Sequence, residues 1–148
     1  MRASERAILS PSALEVIARQ CREMPGQEIC GLLVGRFENG EVRVTKAIPT
    51  RNSSTDARRG DWFEIDPLEY VRITDSLEGS GEEVVGCHHS HPQGNPYPSS
   101  ADVERALRGV PFVYMIERTL EDGEIDAWGL FDLRDGEKIP IETEVREP

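Results

Sequence analysis

The chain has 148 residues, 37% apolar and 30% charged, and its 17 Lys and Arg against 28 Asp and Glu give a formal charge of −11. That length holds one core, so a single domain over 1–148 is expected, and the acidic balance argues against nucleic acid or an anionic membrane as partner. Three cysteines at irregular spacing (Cys21, Cys30, Cys87) make no disulfide framework, and there is neither an apolar leader nor a run of eighteen apolar residues. A soluble cytoplasmic protein is expected.

Taken in order, Ala7-Ile8-Leu9 reads as a first strand. Ser10 caps a helix with Pro11 at its first position, and Leu14, Ile17, Ala18 and Cys21 recur at helical spacing until Pro25-Gly26. Cys21 reads as a small core residue. Gln27 through Gly35 is a continuous apolar strand with Glu28 at its mouth, and Gly31 and Gly35 signal close backbone approach or a bulge. Asn39-Gly40 is a hairpin turn into an alternating strand, Glu41 to Ile48. Thr50 to Gly60 is a polar loop with three arginines, Arg51, Arg58 and Arg59. A short strand at Trp62–Ile65 follows, then a helix capped by Asp66 whose apolar positions are Leu68, Val71 and Ile73. Val84 to His89 is a buried strand, Ser99 caps a helix through Leu107, and strands are expected at Phe112–Ile116, Ile125–Phe131 and Lys138–Val145. The layout is α/β (α+β), a mixed sheet with helices packed on it in layers.

All three histidines lie in Cys87-His88-His89-Ser90-His91-Pro92. In an extended chain residues two apart share a face, so His89 and His91 can meet one metal while Ser90 points away. Asp102 arrives from the first turn of the next helix. Two imidazoles and a carboxylate leave a fourth position open, the pattern of a catalytic zinc site. Ser99-x-x-Asp102 is also a capping box, which requires no metal, and the two readings are compatible. Such a hydrolase needs a proton carrier, and Glu28 is a candidate because burial at a strand end favours the protonated carboxyl.

Glu28 with Cys30-Gly31-Leu32-Leu33-Val34-Gly35, then His89-Ser90-His91-Pro92, then Ser99-x-x-Asp102 with seven residues between His91 and Ser99, resembles the JAMM (MPN+) metalloprotease family, in its prokaryotic single-domain branch. Asn52 and Ile65-Asp66-Pro67 fit that branch too. The resemblance implies a cytidine-deaminase-like JAB1/MPN fold and a Zn²⁺ isopeptidase, one zinc per chain. By position it makes His89, His91 and Asp102 the ligands, Glu28 the general base and then acid, and Ser99 the oxyanion partner. It implies a ubiquitin-like or sulfur-carrier protein as substrate, its tail laid beside the zinc as an added strand, with the loop at 50–60 helping to hold it.

The sequence departs from relatives at Cys87 and His88, where aromatic residues are common. Cys87 shares a face with His89, but it lies two residues deeper in the strand and is expected to stay off the metal; His88 is expected to be packed or hydrogen-bonded. A non-catalytic scaffold of the same fold is the alternative, and the intact ligand set disfavours it. A zinc deaminase needs a Pro-Cys-x-x-Cys pair, which is missing.

Overall fold

The computed structural model describes residues 5–52, 64–108 and 113–148. The elements run β1 (Arg6–Leu9), α1 (Pro11–Glu23), β2 (Cys30–Glu38), β3 (Glu41–Thr50), α2 (Pro67–Ser76), β4 (Glu83–Pro92), α3 (Ser100–Leu107), β5 (Val113–Thr119), β6 (Ile125–Asp132) and β7 (Ile139–Val145). Helix starts follow their caps: Ser10 Oγ accepts the Ser12 N–H at 3.2 Å and Asp66 Oδ1 accepts the Leu68 N–H at 2.9 Å, each with proline next. The β2–β3 turn places Asn39 and Gly40 at φ 52° and 78°, the left-handed pair that a two-residue hairpin needs.

The strand order is β1-β3-β2-β4-β5-β6-β7, and β1 pairs in parallel with both β3 and β7, so the sheet closes. The sheet is mixed, as expected; its closure is a feature that the element list did not contain. One core joins Ala13, Ile17 and Cys21 of α1 to Leu9, Leu33, Val44 and Met115. The other packs Ala106 of α3, with Tyr70 and Ile73 of α2, against Cys30, Leu32, Tyr114 and Ile116. Helices therefore cover both faces.

Two expectations are corrected. β2 begins at Cys30 and runs to Glu38, three residues later at each end than the apolar run suggested, because its hairpin with β3 extends pairing to Glu38↔Glu41. α2 buries no residue fully, and Leu68 and Val71 are exposed at 66% and 51%, since only its Tyr70 and Ile73 reach the sheet. Of the strand expected at Trp62–Ile65, Trp62 and Phe63 lie outside the described residues, and Ile65 makes an isolated bridge to Asn52. Both β2 glycines are needed. A Cβ on Gly31 would sit 2.6 Å from His88 Nε2, and one on Gly35, at the bulge, 1.7 Å from the Arg43 carbonyl oxygen.

What positions the site is the antiparallel pairing of β2 with β4. Its last pair is Cys30↔His89, so the residues before β2 lie against the end of β4. α3 then crosses over to β5, which runs parallel to β4.

Candidate active site

Four of the sequence candidates meet at that corner. His89 bridges two carboxylates: its Nδ1 lies 3.0 Å from Glu28 Oε1 and its Nε2 lies 2.9 Å from Asp102 Oδ1. His91 Nε2 is 3.6 Å from Asp102 Oδ2, and its Nδ1 donates to the Asn95 carbonyl at 2.7 Å. Ligand atoms of Glu28, His89 and His91 all fall within 4.8 Å of one another. His89, Glu28 and Asp102 are buried, and His91 is partly open.

The fifth candidate, Ser99, is the exposed N-cap of α3. Its Oγ accepts the Asp102 N–H at 3.1 Å, and Asp102 Oδ2 accepts the Ser99 N–H at 2.8 Å, the reciprocal capping box. The cap thus fixes the carboxylate that faces both histidines. Arg105, one turn on, donates to Asp102 Oδ1 at 2.9 Å.

The electrostatics favour a cation between the carboxylates. Burial lowers the His89 pKa, but the hydrogen bonds to Asp102 and Glu28 more than offset this and raise it to about 9. Burial likewise opposes ionisation of Asp102, yet the His89 and His91 rings beside it and the Ser99 N–H hold its carboxyl well below the usual range. The donor set suits a divalent metal. With both Nδ1 atoms turned to Glu28 and Asn95, both Nε2 atoms face the Asp102 side, where loss of their protons would free two lone pairs for a metal. One oxygen of Asp102 lies 2.9 Å from His89 Nε2 and the other 3.6 Å from His91 Nε2, so this carboxylate stands beside both ring nitrogens. Glu28 fits less well as a third ligand, since it occupies the Nδ1 edge of His89.

His88 points away from this cluster and pairs with Glu117 at 2.9 Å, both side chains fully buried. Cys87 is buried in the α3-side core, where burial pushes its thiol far up and keeps it protonated. Arg51 is exposed, 3.8 Å from Asp66, while Arg58 and Arg59 lie outside the described residues. The sequence reading gave no part to Arg105, to the Asn95 carbonyl or to Ser90. Arg105 was within reach of helical spacing, three residues past Asp102; the other two depend on tertiary contacts.

The chain is similar to several known proteins. A family model described as prokaryotic homologs of the JAB domain matches residues 10–130. The chain is 37% identical over 117 residues to a desampylase of Haloferax volcanii, covering 76% of this chain and 81% of that one. It is 32% identical over 99 residues to a probable TtuB-protein conjugate cleaving protease of Thermus thermophilus, covering 67% and 62%. A solved JAB1/MPN domain protein from Archaeoglobus fulgidus superposes with a TM-score of 0.55 at 19% identity, over 96% of this chain and all of that one, which shows the shared fold.

Proposed function

The chain belongs to the prokaryotic family of JAB domains, and from that premise we propose a zinc-dependent isopeptidase that hydrolyses the bond after the C-terminus of a ubiquitin-like or sulfur-carrier protein. The observation that carries the reading is the meeting of Glu28, His89, His91 and Asp102 in one buried corner. His89, His91 and Asp102 would hold one Zn²⁺. Bound there, zinc supplies Lewis acidity, lowering the pKa of water to about 7 and polarising a carbonyl.

The chain's own groups do the rest. Glu28 takes the proton of the attacking water on a carboxylate oxygen and returns it to the leaving amine nitrogen. The hydrogen bond to His89 Nδ1 fixes the orientation of that carboxylate. The Ser99 hydroxyl, whose oxygen already accepts the Asp102 N–H, keeps its proton to donate to the oxygen on which charge develops. The Thermus relative's name supports a protein conjugate as substrate. An extended carrier tail would reach the site as an added strand, with Arg51 at the edge of the approach. Three free, buried thiols suit a cytoplasmic setting.

The test is cleavage of a ubiquitin-like or sulfur-carrier protein fused through its C-terminus to a reporter, with zinc measured alongside. Chelation abolishes cleavage. Glu28→Gln lowers kcat by about 100-fold or more, the usual share of a general base, and keeps the zinc. Full activity in a zinc-free His89→Ala, Asp102→Ala double variant would sink the mechanism.

A further inference from the structure

We propose that Ser90, the residue between the two histidines, is a positioning residue for Glu28. The hydrogen-bonded ladder of β2 starts at Cys30 and α1 ends at Glu23, so Glu28 stands outside both. Its segment is held chiefly by side chains. The Ile29 N–H donates to Ser90 Oγ at 3.0 Å, and the Ser90 hydroxyl donates to the Gln27 carbonyl at 3.3 Å. One hydroxyl therefore grips the chain on both sides of Glu28, using its donor and its acceptor together. The Ser90 N–H adds a bond to the Ile29 carbonyl at 3.0 Å, and Asn52 Nδ2 donates to the Glu28 carbonyl at 3.0 Å from the other flank.

Alternation along β4 turns His89 and His91 to one face and Ser90 to the other. A three-residue segment thus carries two groups of the metal cluster and the grip on the proton carrier. The distance from Glu28 to the histidines is set locally, although the residues concerned are 61 apart in sequence. Ser90 is 1% exposed and Ile29 3%, so no water replaces the hydroxyl cheaply when it is removed. A shift of about 1 Å in a catalytic group can lower the rate about 100-fold. Ser90 acts through Glu28 and touches neither metal nor substrate.

This deepens the hydrolase reading and rests on it for its kinetic arm. The full chain is compared as wild type, Ser90→Ala and Ser90→Thr by zinc content, by kcat and KM on the carrier–reporter fusion, and by exchange of the Ile29 amide proton. Ser90→Ala is expected to keep its zinc and to hold KM within about twofold while kcat falls about 10- to 100-fold. Its Ile29 amide exchanges at least about tenfold faster as the buried bond opens. Ser90→Thr, which retains Oγ, restores both. An unchanged kcat in Ser90→Ala, loss of zinc in step with activity, or failure of a folded Ser90→Thr to recover overturns the proposal. Should Ser90→Ala not fold, Ser90→Cys decides by the same kcat and exchange criteria. A wild type that holds zinc and cleaves no conjugate defeats the hydrolase reading instead, and the Ile29 exchange then judges the grip alone.

Discussion

His88 shows how much a single side chain can contribute without joining the chemistry. It sits beside a candidate ligand in sequence, yet alternation sends it through the sheet to Glu117, with Gly31 leaving the room for its ring. Burial pushes the Glu117 carboxyl up while the His88 contacts pull it back. Removing one partner leaves the other buried and unpaired. His88→Leu is expected to lower stability by about 3 kcal/mol, where the ranges for orphaned polar groups and for broken buried pairs meet. A shift in the urea midpoint at unchanged slope measures it. Gly31→Ala probes the same contact from the opposite side, because its Cβ would meet both His88 Nε2 and the Ile48 carbonyl oxygen. Overpacking of that kind costs about 1–3 kcal/mol.

At the scale of an element, α3 carries two jobs on one residue. Ser99 caps the helix and faces outward as the proposed oxyanion partner. Glycine and alanine separate these jobs. Replacing a capping serine costs about 1 kcal/mol with alanine but only a few tenths with glycine. Losing an oxyanion donor costs about 100- to 1,000-fold in kcat with either. Ser99→Gly should therefore be nearly as stable as wild type in thermal melts and as impaired in turnover as Ser99→Ala. Equal turnover in wild type and Ser99→Gly would leave Ser99 as a cap alone. α2 gives the opposite lesson. Its cap and its proline are where the sequence put them, but Leu68 and Val71 face water, because an apolar pattern states that a face exists and not how much of it is covered.

For the whole molecule, closure through β1 and β7 makes the last strand part of the core, with Ile141 buried against Leu130. Deleting 137–148 opens the edges of β1 and β6, and loss of a single cooperative thermal transition is expected by circular dichroism. The three buried cysteines set an alkaline limit. Burial raises Cys30 to about 11 from 9.0 and pushes Cys21 and Cys87 up further. Above pH 9 the unfolded chain releases thiol protons that the folded chain retains, so stability falls as pH rises from about 9 towards 11. Urea midpoints between pH 7 and 10.5 should show the decline. At pH 8 the thiols should resist alkylation until the chain unfolds. Among the described residues no helix is long and apolar enough to cross a membrane.

Signals within a few residues of one another set the starts and turns of the elements. Caps opened α1, α2 and α3, with proline next in the first two, Asn39-Gly40 made the hairpin, and the spacing of His89, His91, Ser99 and Asp102 marked the corner where the candidate ligands meet, because each of these signals acts over a few residues. Contacts between residues some sixty apart came from the packing of the folded sheet. The antiparallel register of β2 on β4 brought Glu28 to His89, the Ser90 hydroxyl gripped the segment that carries it, and β1 found β7. Hydrogen-bonded register between distant strands is set by packing of the whole sheet, and no short window of sequence contains it.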